Sequence, residues 1–177
     1  MTIFFRRFVG ALMLDAGAFE DIEAHRDAAV QSMIVVMLAC AAGGVAAAGL
    51  GAAQPASFVA GIVLVLGAWL VWVTVIAALG TIVFAEPQTK SNLTELLRTL
   101  GFAAAPAIFL VFASMRAAAL FILVLVSLWM IAAAVLGLRQ ALDYRSTARA
   151  IAVCVIGWIV ALGAVAAIAA TFTVDVN

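Results

Sequence analysis

The sequence holds little of what enzymes work with. It contains one histidine, two cysteines and one tyrosine, and only 10% of its 177 residues are charged. One histidine and two cysteines cannot build the usual zinc or thiolate centre, and two cysteines exclude a disulfide scaffold. Lys plus Arg and Asp plus Glu number nine each, so the net charge is zero and no basic patch is offered to nucleic acid. No nucleophile–base pair or phosphate loop is spelled out. The expectation is a non-enzymatic protein with no catalytic residue, cofactor or metal. His25, beside Arg26 and Asp27, reads as a solvated side chain, because no second ligand accompanies it.

What is abundant is apolar. Hydrophobic residues make up 68% of the chain and the mean hydropathy is +1.30. Soluble domains run near ~45–50% apolar and ~25% charged. A soluble fold of this size also leaves more than ~30% of its unfolded surface wet. The polar residues present cannot cover that surface, so the solvent is lipid.

A bilayer core takes ~20 apolar residues per helix. Five runs qualify, at about residues 29–51, 57–84, 96–112, 117–138 and 151–172. They define an all-α, polytopic transmembrane bundle over 29–172, with an N-terminal segment 1–28 and a short tail 173–177. The spans must be helical, since backbone amides find no water in hydrocarbon. With the N-terminus inside, eight of the nine Lys and Arg fall on the cytoplasmic side and only Arg116 lies outside. That asymmetry predicts a cytoplasmic N-terminus and a periplasmic C-terminus. Gly51 to Pro55 and Ser114 to Arg116 are expected as tight turns, and Asn92 with Glu95 as a capping box opening the third span.

Residues 1–28 are too charged to span. Phe4, Phe5, Phe8, Val9, Leu12 and Met13 recur at helical spacing beside Arg6 and Arg7, predicting an amphipathic helix on the inner leaflet with its arginines at anionic headgroups. Only about seven apolar residues follow Arg7 before Asp15 and no small-residue cleavage site closes them, so a signal peptide is not expected. Phe19 and Ile22 share one face of a second short helix that packs beneath the bundle.

Inside the membrane no charge is stranded. Glu95 and Arg98 stand three apart and are expected to pair, and Arg116 to snorkel. Ala39, Gly43, Ala47 and Gly51 recur every fourth residue, a seam suited to close helix packing within the bundle or between copies. Pro106 lacks an amide and should kink the third span, freeing the Phe102 carbonyl. Trp69, Trp72, Trp129 and Trp158 sit deep, their indoles expected to seek Thr74 or Ser127. Cys40 and Cys154 lie at different depths and read as packing residues.

From about residue 11 to 170 the chain resembles the Yip1 family of five-helix membrane proteins, in its bacterial branch. The resemblance rests on Phe19-x-x-Ile22, on the run Thr94-Glu95-Leu96-Leu97-Arg98-Thr99-Leu100-Gly101-Phe102 ending at Ala105-Pro106, on Trp129 followed by Gly137-Leu138-Arg139, and on Ser146-Thr147 with Arg149-Ala150. It implies five spans with a cytoplasmic N-terminus. For eukaryotic relatives it implies vesicle trafficking with small GTPases, but their Asp-Leu-Tyr-Gly-Pro signature is missing here. Eight arginines to one lysine, with abundant alanine, point to a GC-rich bacterial gene and the inner membrane.

The leading expectation is an adaptor or organiser that binds membrane lipids and either other membrane proteins or further copies of itself. Its docking or headgroup contacts are expected at Arg6, Arg7, Lys90, Glu95, Arg98, Arg139, Arg145 and Arg149. The alternatives are a small-solute or lipid transporter with a cavity near the Pro106 kink, and a membrane-shaping protein.

Overall fold

A computed structural model describes residues 2–50, 55–85 and 93–174, with the side chains of 165 and 168–174 excepted. Gly51, Lys90 and Asn92 lie outside the described residues, as does the turn between Gly51 and Pro55. Seven α-helices are described: α1 (Thr2–Leu12), α2 (Ala16–Ala24), α3 (Ala28–Leu50), α4 (Pro55–Ala78), α5 (Leu93–Ala103), α6 (Ala119–Ala141) and α7 (Thr147–Val174). A π-helical turn, Leu79–Val83, continues α4, and a 3-10 helix, Ala105–Ser114, continues α5. Five of the resulting helices are long and apolar enough to cross a membrane.

The five spans close a ring. α3 packs on α4, α4 on α7, α7 on α6, α6 on the third span, and the third span back on α3. Glycine sets the α3–α4 approach: a Cβ on Gly61 would lie 2.6 Å from the Gly43 carbonyl and 2.7 Å from the Ala47 Cβ. The contact between α3 and the third span is equally close at both ends. A Cβ on Gly101 would meet the Ser32 Cβ at 2.6 Å, and one on Gly49 the Ser114 Cβ at 2.5 Å. Small residues let backbones come together and gain dispersion energy where lipid offers no hydrophobic drive.

Pro106 does more than bend its helix. The third span leaves the α form before it: Ala104 donates to Gly101, and Ala107 to Ala104, both three residues back rather than four. The disruption expected at Pro106 includes a change of helix type lasting to Ser114. The missing amide of Pro106 removes the α-helical acceptor role of the Phe102 carbonyl, and the tighter i+3 pattern absorbs the loss. Eleven α residues at ~1.5 Å and ten 3-10 residues at ~2.0 Å give a span of roughly 36 Å. The run that reads weakest in the sequence thus spans the bilayer comfortably.

α1 and α2 lie at the end of the ring opposite Arg116. α1 closes in a Schellman turn, with Asp15 N–H donating to Gly10 and Leu14 N–H to Ala11. Leu14 takes the left-handed backbone (φ 58°) that glycine usually fills. Asp15 then caps α2, its side chain accepting from Gly17 N–H at 3.0 Å. Phe19 and Ile22 are fully buried, so α2 packs beneath the bundle as its sequence spacing predicts. The same turn ends α6, where Tyr144 N–H donates to Arg139 and Asp143 has φ 52°.

Candidate functional site

Two features stand out: the clasp that fixes α1, and a cavity at the centre of the ring.

Arg7 is the heart of the clasp. Its side chain is 2% exposed and forks to three acceptors: Nε to Asp21 at 2.7 Å, and Nη1 to both Asp27 and the Gln31 amide oxygen at 2.9 Å. This joins α1 to α2 and to the first turn of α3. The sequence places Arg7 among headgroups, and the structure corrects that: its carboxylate partners lie 14 and 20 residues downstream, beyond any helical spacing. Arg6 stays outside, its side chain 70% exposed, with Asp21 at 3.4 Å. Donation from Arg7 holds both the Asp21 and Asp27 carboxyls below the usual carboxylate range, outweighing the opposing push of burial. Burial works against the Arg7 charge, yet the hydrogen bonds to Asp27 and Asp21 raise its pKa.

A second set of contacts holds α1 from the bundle side. Phe4 packs on Phe102 with ring centroids 6.4 Å apart, and the Trp129 indole donates to the Leu12 carbonyl at 2.9 Å while stacking on Phe109. On its other side α1 turns Ile3, Phe5 and Val9 outward, with Met13 just past its end, all about half exposed or more. The helix thus gives one apolar face to the protein and turns to its surroundings a second face that is apolar apart from the exposed Arg6.

Arg98 is also buried, at 4% exposure, which corrects its placement at headgroups. It stands 3.9 Å from Glu95, as the spacing predicts, but its short bond runs from Nη2 to the Glu23 carbonyl at 2.6 Å. It thus closes the last turn of α2. Arg116, expected to snorkel, instead donates to the Leu50 carbonyl at 2.7 Å and caps α3. Arg139 is half-buried at the α1–α2 end, beside Gln140, Asp143, Tyr144 and Ala16. Arg145 and Arg149 are exposed there. Glu95 shares a surface pocket with Arg26, Thr94 and Arg98.

The seam is used internally. Ala39 and Gly43 are buried, and Gly43 and Ala47 face Gly61 and Val65 of α4. These three residues of the stripe thus pack within the chain.

The tryptophan expectation is corrected too. Thr74 donates back to Leu70 and is exposed. The indoles of Trp69 and Trp72 donate instead to the backbone carbonyls of Leu100 and Cys154, each at 3.4 Å. Helix tightening at Pro106 explains the first: Ala104 turns to Gly101, leaving the Leu100 carbonyl to Trp69. Sequence reasoning also missed the π turn of α4, where the Tyr144 hydroxyl donates to the Gly80 carbonyl.

At the centre of the ring is a cavity of about 250 Å³. All five spans line it, from Cys40 of α3 and Trp69 and Trp72 of α4 to Ala104 and Ala107 on either side of Pro106, Met130 of α6 and Trp158 of α7. Its walls are almost wholly apolar.

Five apolar spans closed into a ring, with two short helices clasped at one end, define a polytopic helical membrane protein. The family model of the Yip1 domain matches residues 11–168, most of the chain. The chain belongs to the Yip1 family. No curated protein and no solved structure matches it.

Proposed function

We propose that this protein is a non-enzymatic organiser of one membrane leaflet, binding lipid through α1 and neighbouring membrane proteins through the end of the ring that carries α1 and α2. The observation that carries this reading is the two-faced α1. Arg7, Phe4 and the Trp129 bond fix one side to the bundle, while Ile3, Phe5, Val9 and Met13 remain outward. A helix held this way is an apolar wedge that cannot rotate away from lipid. Arg145, Arg149 and the half-buried Arg139 lie at the same end, where anionic headgroups or a partner's acidic residues would meet them.

The host membrane in this reading is a bacterial inner membrane, with α1 and α2 cytoplasmic. Arg6, Arg7, Arg26, Arg98, Arg139, Arg145 and Arg149 gather at that end and Arg116 at the other, the bias that the positive-inside rule attaches to the cytoplasmic side. Solute transport is less well supported, because a water path needs several polar side chains at one depth.

Extraction in native lipid patches followed by intact-complex mass spectrometry tests the proposal. A stoichiometric second membrane protein, or a lipid retained selectively and lost in a Phe5→Ser/Val9→Ser variant, is the expected result. Lone copies carrying lipid of bulk composition, unchanged by that variant, would overturn it.

A further inference from the structure

We infer that the central cavity is a binding site for one acyl chain of a membrane phospholipid, entering sideways from the bilayer. Volume comes first. At about 250 Å³ the cavity exceeds the ~150 Å³ of an apolar cavity that stays dry and takes up benzene. Water does not suit it, since a buried water needs two to four polar partners. The side-chain polar groups among the lining residues are the Ser127 hydroxyl, the Cys40 thiol and the tryptophan indoles. The Trp69 and Trp72 N–H groups are already turned away to the Leu100 and Cys154 carbonyls.

Access comes next. Three lining residues, Leu64 of α4, Leu123 of α6 and Leu162 of α7, are 38%, 42% and 54% exposed. The cavity therefore reaches the lipid-facing surface of the spans, and what lies outside that opening in a membrane is hydrocarbon. An unfilled void would forfeit the dispersion contacts of Trp69, Trp72, Met130 and Trp158. A flexible chain of methylenes restores them without leaving the apolar phase. The headgroup stays at the interface, so no polar partner is needed inside. This inference does not depend on the organiser role, and concerns a different part of the molecule.

Photo-crosslinking tests it directly. The full chain is reconstituted in nanodiscs containing a phospholipid with a mid-chain diazirine, irradiated, and mapped by peptide mass spectrometry. Adducts are expected on Cys40, Trp69 or Met130, all buried from surface lipid, as well as on exposed Leu120. Filling the cavity by Ala68→Leu, or from the opposite wall by Ser127→Leu, should lower the buried adducts about tenfold and leave those at Leu120 unchanged. Adducts confined to exposed residues in the unaltered protein would overturn the inference, and that result needs no variant to fold. Buried adducts undiminished in both filled variants would overturn it as well. So would buried labelling by a diazirine fatty acid but not by the phospholipid, which would assign the site to free fatty acid.

Discussion

Replacing Arg7 by alanine should release α1 from the bundle while leaving the five spans in place. The magnitude follows from the geometry. Three hydrogen bonds are lost, at 2.7, 2.9 and 2.9 Å, two of them to carboxylates, and such charge-assisted bonds are each worth ~1.5–3 kcal/mol. Breaking a fully buried ion pair costs ~3–5 kcal/mol because the orphaned partner stays dry. Here the Asp21 and Asp27 side chains are 24% and 57% exposed, so water takes up part of the debt. An estimate of ~2–3 kcal/mol remains, roughly a 30- to 150-fold loss in the docking equilibrium at 1.4 kcal/mol per tenfold. Spin labels at Ile3→Cys and Ala148→Cys, both exposed positions, report the distance from α1 to the start of α7 in nanodiscs. The native cysteines are buried and escape labelling. The undocked fraction along a temperature ramp should rise by that factor in Arg7→Ala and hardly at all in Arg6→Ala, whose side chain is 70% exposed. Equal effects from the two arginines would refute the reasoning.

Four further outcomes are expected. Gly61→Leu should lower thermal stability by ~3 kcal/mol, the upper end for overpacking, because its new atoms meet the Gly43 carbonyl and the Gly44 Cα, which are backbone. Gly67→Ala, with nothing within 4 Å of the added Cβ, should instead gain ~0.5–1 kcal/mol, and unfolding both variants in one lipid mixture separates the two. In a His25→Gln variant, which removes the imidazole 3.2 Å from Asp21, docking of α1 should be flat from pH 8 to pH 5. The depressed Asp21 and Asp27 pKa values mean that their contribution is complete above the ordinary carboxylate value of ~3.9 and lost as pH falls through the folded values below it. The same label pair reads this, and a change between pH 6 and 8 would count against it. Leu14→Gly should strengthen the α1–α2 turn by ~1 kcal/mol, since Leu14 sits at φ 58°, seen as slower proteolysis between the two helices.

The spans were legible because hydropathy is a local property: each apolar run carries its own evidence for burial in lipid. The packing of Phe19 and Ile22 was legible for the same reason, through spacing on one helix. Arg7 was not, because its meaning depends on Asp21, Asp27 and Gln31, which a one-helix reading places elsewhere. Pro106 announced a disruption, but proline specifies only a missing amide and a fixed φ. Whether the chain bends or tightens is decided by what accepts the freed carbonyls, and here Trp69 takes that of Leu100. The tryptophan acceptors were not legible because both are backbone carbonyls on other helices, Leu100 beside the change of helix type and Cys154 within α7. The glycine stripe announced close packing but carried no address, and α4 supplied it through Gly61.

The clasp also has a consequence for the order of synthesis. Every acceptor of Arg7 lies within 24 residues of it, so α1 can be tethered to α2 and the start of α3 while the first span is still entering the membrane. The Trp129 indole that fixes Leu12 is 117 residues away. At ~5–20 residues per second, α1 waits on the order of 5–20 s between its two anchors. During that interval the ionic tether keeps it beside the nascent bundle. The later spans then assemble against a helix already in position, and the last-made contacts of α1 secure a segment made before every span.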